Sequence, residues 1–147
     1  MNEHRGACNL ARAQVQAFQV DRDSRVLQFA SFSFDACVWE VLMTVTQGAC
    51  LCLPDRDMVL VGEVLVEQVE RLGITHVTLP PVVLSTLPEA AQLATVGVLV
   101  VAGEAVAEAL VQRWAPGRML INAYGPTEST VCATMYACKA SEGGPPP

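Results

Sequence analysis

The sequence predicts an α/β protein built on a mostly parallel, doubly wound sheet with flanking helices. Short apolar segments alternate along the chain with segments whose apolar residues recur every three or four positions. Residues 96–102 are nearly all apolar and carry no charge, which is typical of a parallel strand buried on both faces. The chain has no internal repeats.

Start and stop signals set the predicted elements. Asp35 precedes an apolar run as a helix N-cap, glycines at 48 and 73 follow helical patterns, and prolines at 54, 80 and 81 close apolar runs. Helices are predicted over residues 9–18, 35–47, 64–72, 82–87 and 105–114. Strands are predicted over residues 25–30, 49–53, 74–79, 96–102, 118–123 and 131–136. Residues 55–57 are predicted to form a charged loop.

Length and composition limit the organisation and the class of partner. The 147 residues suffice for one core, predicted over residues 1–140, and the Gly- and Pro-rich residues 141–147 are expected to form a flexible end. A net charge of −6 with scattered arginines argues against nucleic acid. The first residues lack a signal-peptide pattern, and no apolar run approaches membrane-spanning length, so we expect a cytoplasmic protein without a membrane partner.

Six cysteines are present, but no Cys-x-x-Cys pair occurs and only two histidines are available. We expect ordinary buried thiols in a reducing compartment. Disulfides or a metal site are the alternative.

The segment Asn122-Ala123-Tyr124-Gly125-Pro126-Thr127-Glu128 follows the apolar residues 119–121. Gly125-Pro126 predicts a sharp turn where a buried strand ends, which is where α/β sheets hold their ligands. The Thr127 hydroxyl suits a phosphate oxygen, the Glu128 carboxylate suits Mg²⁺, and Tyr124 offers a flat face to a base. The alternative is a turn into a helix capped by Thr127, with Glu128 in its first turn.

This segment resembles the nucleotide-binding motif of adenylation domains in non-ribosomal peptide synthetases, which are adenylate-forming enzymes. Segments 32–36, 78–81 and 101–104 resemble other core segments of that family, in the family's order. The resemblance spans residues 4–136. It implies a fragment of the large N-terminal domain of an adenylate-forming enzyme.

The resemblance also implies an amino-acid pocket. Asp35 would bind the α-ammonium group of the substrate; a simple helix cap is the alternative. The other implied contacts are Ala36, Trp39, Thr78, Val100, Ala102, Ala123, Val131 and Cys132. Their mostly small apolar side chains resemble those of phenylalanine-activating members, so phenylalanine or another large apolar amino acid is the expected substrate. Core packing is the alternative for Val100, Ala102 and Ala123.

For ATP, the resemblance implies that Asn122 and Tyr124 contact adenine, with Thr127 at the α-phosphate and Glu128 at Mg²⁺. Thr127 and Glu128 are thus the implied catalytic residues. Gly103, Glu104 and Gly125 would border the same site. The implied reaction is attack of the substrate carboxylate on the α-phosphorus, which releases pyrophosphate, followed by transfer to phosphopantetheine on a carrier domain.

The family's phosphate loop and catalytic lysine do not match any segment of residues 1–147. We therefore expect this chain to be inactive alone and to need the remaining synthetase segments. A non-catalytic remnant or interaction piece is the alternative function. A dehydrogenase-type nucleotide module is disfavoured, because no Gly-x-Gly-x-x-Gly turn occurs.

Overall fold

The computed structural model describes residues 1–55, 58–140 and 146. The helices are α1 (His4–Phe18), α2 (Ala36–Val45), α3 (Gly62–Arg71), α4 (Pro81–Ser85) and α5 (Glu108–Trp114), and a 3₁₀ turn spans Thr127–Ser129. The strands are β1 (Arg25–Leu27), β2 (Cys50–Cys52), β3 (His76–Leu79), β4 (Val98–Ala102), β5 (Met119–Tyr124) and β6 (Thr134–Cys138).

The strands form one sheet in the order β2-β1-β3-β4-β5-β6. All neighbouring strands are parallel except β6, which runs antiparallel to β5. This confirms the predicted mostly parallel, doubly wound sheet. Because β1 lies between β2 and β3, the direction of winding reverses beside β1, and such reversals open a crevice at the carboxyl ends of the strands.

Apolar side chains alternate between the two faces of the sheet. In β4, Leu99 and Val101 belong to one buried cluster, whereas Val98 and Val100 belong to the other. The first cluster includes residues of α3, α4 and α5, and the second includes residues of α1 and α2. Helices therefore cover both faces, and α2 is held on the face where Val100 lies.

Most predicted boundaries differ from the structure by one to three residues; β1, for example, ends at Leu27 rather than at residue 30, and α5 begins at Glu108 rather than at residue 105. Helix α1 begins at His4 rather than at residue 9, and the last strand begins at Thr134 rather than at residue 131. Thr130 and Val131 adopt left-handed conformations with φ of 63° and 68°, and the Cys132 amide donates to the Thr130 carbonyl at 2.8 Å. This tight turn keeps residues 130–132 out of the sheet.

None of the six cysteines, all of which lie in the described part of the chain, is joined in a disulfide. Cys37, Cys52 and Cys138 are buried as expected, but Cys8 and Cys50 are exposed, so the prediction of buried thiols is wrong for those two. Among the described residues, no group of His, Cys, Asp and Glu could hold a metal ion on its own.

The described part of the chain contains no helix that is long and apolar enough to cross a membrane. Residues 56 and 57 of the predicted charged loop lie outside the described residues, as does the predicted flexible end apart from Pro146.

Candidate functional site

A cavity of about 880 Å³ lies at the crevice formed by the carboxyl ends of β1, β3, β4 and β5. Its walls include the last residues of these strands, the residues that follow them and the first turns of α2. Parallel strands bring their carboxyl ends to the same edge of the sheet, so motifs far apart in the sequence meet here.

Most of the predicted contacts line this one cavity. They are Asp35, Ala36, Trp39, Thr78, Ala102, Gly103, Glu104, Asn122, Ala123, Tyr124, Gly125 and Val131. Implied amino-acid contacts and implied adenine contacts are thus adjacent.

Four predicted residues lie elsewhere. Val100 is 2% exposed and packs in the core on the α1 and α2 side, which agrees with the core-packing alternative. Cys132 lines a smaller cavity of about 240 Å³ between α1 and the loop after β5. Thr127 and Glu128 are exposed on the 3₁₀ turn that follows β5.

Asp35 and Thr127 are joined by a hydrogen bond, in which the Thr127 hydroxyl donates to the Asp35 carboxylate at 2.5 Å. Asp35 precedes α2 as predicted, but its side chain makes no capping hydrogen bond. Thr127 likewise caps no helix, because Pro126 occupies the N-cap position of the 3₁₀ turn. The capping alternatives for both side chains are therefore wrong: the two groups face each other across the site.

Gly125 allows a close approach of two backbone segments. A Cβ atom at this position would lie 2.6 Å from the Ala133 nitrogen and from the Cys132 Cα, and 2.7 Å from the Val131 oxygen. The Ala133 amide also donates to the Tyr124 carbonyl at 2.8 Å. The absence of a side chain thus lets the loop fold back on the end of β5, and Val131 enters the cavity wall.

Two polar atoms in the cavity walls have no partner among the described residues. They are the indole nitrogen of Trp39 and the hydroxyl of Thr78, and both are buried. Burying such a group without a hydrogen bond costs free energy, and a bound ligand is one means of satisfying it. The cavity is therefore suited to a ligand with polar as well as apolar parts.

The nucleotide and metal contacts can be tested against the geometry. Tyr124 lines the cavity and is 70% exposed, so its ring is available for stacking on a base. Glu128 offers one exposed carboxylate. Mg²⁺ commonly binds through one or two carboxylates together with water and substrate phosphates. Glu128 fits that role only with a phosphate bound beside it.

Glu40 is the residue that the sequence analysis missed. It lines the cavity, and its side chain is completely buried. Burial raises the pKa of the Glu40 carboxyl to about 7, although hydrogen bonds from Ala30, Phe29 and Gln28 act in the opposite direction. The available signal was a carboxylate set between Trp39 and Val41, within residues 36–43 that are otherwise apolar.

The chain is similar to several known proteins and solved structures. A sequence model of the family described as "AMP-binding enzyme" matches residues 1–147. A linear gramicidin synthase from Brevibacillus parabrevis is 47% identical over 146 residues, which is 99% of this chain and 3% of that protein. Novobiocin biosynthesis protein H of Streptomyces niveus is 53% identical over 127 residues, which is 86% of this chain and 21% of that protein.

Among solved structures, the AMPPNP-bound form of the nonribosomal peptide synthetase FmoA3 superposes with a TM-score of 0.84 at 29% sequence identity. The match covers 91% of this chain and 15% of FmoA3. The chain therefore spans only a small part of each of these relatives.

Proposed function

Because the chain belongs to the family of AMP-binding enzymes, we propose that it carries the amino-acid and adenine contacts of a domain that activates an amino acid with ATP. The observation that carries this proposal is the hydrogen bond between Asp35 and Thr127 at the edge of one large cavity. One group suits an ammonium ion and the other suits a phosphate oxygen. An aminoacyl adenylate presents both of these groups close together.

Each residue has a distinct task in this proposal. The Asp35 carboxylate binds the α-ammonium group and so orients the substrate carboxylate. Tyr124 stacks on adenine, and Asn122 hydrogen bonds to it. Thr127 donates to the α-phosphate, and Glu128 binds Mg²⁺ beside it. When bound, Mg²⁺ neutralises charge that develops on the phosphate oxygens.

We propose phenylalanine or another large apolar amino acid as the substrate. Ala36, Ala102 and Ala123 leave room in the cavity, and Trp39 contributes a large apolar ring. Burial of a phenylalanine side chain there would contribute about 2–3 kcal/mol to binding.

The remaining synthetase segments and a carrier domain with phosphopantetheine complete the proposed activity. FmoA3, which shares 29% of residues over the matched region, was crystallised with AMPPNP, and this supports a nucleotide in the same fold.

The test is isothermal titration of the chain with a phenylalanyl sulfamoyl adenosine, a non-hydrolysable mimic of the adenylate. Asp35→Asn should weaken binding at least tenfold, since it removes a charge-assisted contact. Asp23→Asn is the matched control, because Asp23 is exposed and outside the cavity. Absence of binding by the unmodified chain, or equal affinities of the two variants, would contradict the proposal. Analogues with glycine or glutamate in place of phenylalanine should bind more weakly.

A further inference from the structure

The carboxylate of Glu40 connects α2 to the segment that follows β1. Both of its oxygens accept hydrogen bonds from the backbone amides of Phe29 and Ala30, at distances of 3.1 to 3.2 Å. The side-chain amide of Gln28 approaches one oxygen at 3.5 Å. Gln28 also donates to the Ala30 carbonyl, at 2.5 Å.

These contacts explain why β1 ends at Leu27 although the apolar pattern continues to residue 30. The backbone amide of Gln28 still donates to the Cys52 carbonyl of the neighbouring strand. The next two amides turn away from the sheet to Glu40. A buried carboxylate thus replaces the strand partner and bends the chain at the wall of the cavity.

Glu40 has little capacity left for a ligand. A carboxylate has about four acceptor positions, and the Phe29 and Ala30 amides are shared between both oxygens. Its hydrogen bonds therefore go to the protein rather than to the cavity contents. This distinguishes Glu40 from Asp35, whose hydrogen bond from Thr127 can be exchanged for a bond from a ligand.

We propose that Glu40 is a positioning residue that holds the loop from Phe29 to Asp35 against α2 and so fixes the shape of the amino-acid cavity. Phe29 and Ala30 form one wall, and the loop delivers Asp35 to its place opposite Thr127. Without the carboxylate, these two backbone amides lose the acceptor of their hydrogen bonds. The inference rests on the proposed function only in naming the cavity as the amino-acid site.

The experiment compares Glu40→Gln and Glu40→Leu with Thr44→Val at pH 8. Thr44 is the matched control, because it is buried on the same helix one turn away, lies outside the cavity and donates its hydroxyl to the Glu40 backbone carbonyl. Hydrogen exchange of the Phe29 and Ala30 amides is measured in the ligand-free chain. It should be at least tenfold faster in Glu40→Leu than in Thr44→Val, with Glu40→Gln between them.

Binding of the phenylalanyl sulfamoyl adenosine gives the second measurement. Glu40→Leu should bind the analogue at least tenfold more weakly than Thr44→Val, under conditions in which the two variants have equal free energies of unfolding. Unchanged protection of the Phe29 and Ala30 amides in Glu40→Leu would overturn the inference. If the unmodified chain does not bind the analogue, the proposed function fails, but the exchange measurement still decides the role of Glu40.

Discussion

Replacing Gly125 by alanine tests whether the loop after β5 depends on a close backbone approach. The added Cβ would lie 2.6 to 2.7 Å from three backbone atoms of Val131, Cys132 and Ala133. Such distances are shorter than any stable carbon contact, and backbone atoms cannot rotate away as a side chain can. The loop must therefore move by several tenths of an ångström, or the end of β5 must shift.

We expect Gly125→Ala to lower the free energy of unfolding by about 1–3 kcal/mol, as overpacking of a tight site does. The midpoint of thermal unfolding should fall by about 3 °C for each kcal/mol in a chain of this size. Gly97→Ala is the control, because nothing lies within 4 Å of its added Cβ and its φ is not left-handed. That variant should be neutral or stabilised by up to about 1 kcal/mol.

Urea unfolding followed by circular dichroism measures both variants, with the slope checked for a change in the unfolded state. If Gly125→Ala unfolds within about 0.5 kcal/mol of the unmodified chain, the close approach described for this loop is incorrect. If Gly125→Ala loses more free energy of binding to the phenylalanyl sulfamoyl adenosine than free energy of unfolding, the effect lies at the cavity wall formed by Val131.

Two further predictions concern pH and stability. The pKa of Glu40 is raised from 4.5 to about 7, so as the pH rises this carboxyl ionises in the unfolded chain before it ionises in the folded protein. The free energy of unfolding of the unmodified protein should therefore fall by about 3 kcal/mol relative to that of Glu40→Gln between pH 4.5 and 7.5. Parallel plots of unfolding free energy against pH for the two proteins would refute this. Burial lowers the pKa of His76 below 6.5, so His76→Gln should reduce the destabilisation that this group causes as the pH falls below 6.5. The two effects oppose each other in the unmodified protein, so chemical unfolding must be compared variant by variant over the same pH range.

The sheet could be predicted from local patterns, whereas most of the cavity residues were implied by the resemblance to adenylation domains. An uncharged apolar run such as residues 96–102 indicates a buried strand without further information. Once the strands are parallel, the residues after each strand must share one edge, so motifs at Asp35, Thr78, Gly103 and Tyr124 converge. For Thr78, Gly103 and Tyr124 this convergence needs no knowledge of loop geometry, whereas Asp35 is placed by the loop that Glu40 holds.

Features that depend on contacts between distant loops could not be predicted. The role of Glu40 arises from amides ten and eleven residues earlier in the chain, whose orientation no local pattern encodes. Val131 was predicted to begin a strand, yet it adopts a left-handed conformation with φ of 68°, which β-branched residues disfavour. Gly6 weakens the helix pattern locally, but it lies where a Cβ would meet the Thr130 hydroxyl at 2.7 Å. Tertiary packing decides all three.

The hydrogen bond between Asp35 and Thr127 predicts opposite effects on two ligands. In the ligand-free protein the Thr127 hydroxyl donates to Oδ2 of Asp35 at 2.5 Å, so an incoming ammonium group that binds this oxygen competes with the hydroxyl. Thr127→Val removes this competitor and keeps the size of the side chain. We expect phenylalanine to bind more tightly to that variant, by as much as about tenfold for one exchanged hydrogen bond.

AMPPNP should bind more weakly to Thr127→Val, because the proposed donor to the α-phosphate is lost. Thr127→Ser keeps the hydroxyl and should resemble the unmodified chain in both titrations. Separate calorimetric titrations with phenylalanine and with AMPPNP measure the two affinities. A parallel fall of both in Thr127→Val would mean that Thr127 only supports the loop, since competition for Asp35 requires the two affinities to change in opposite directions.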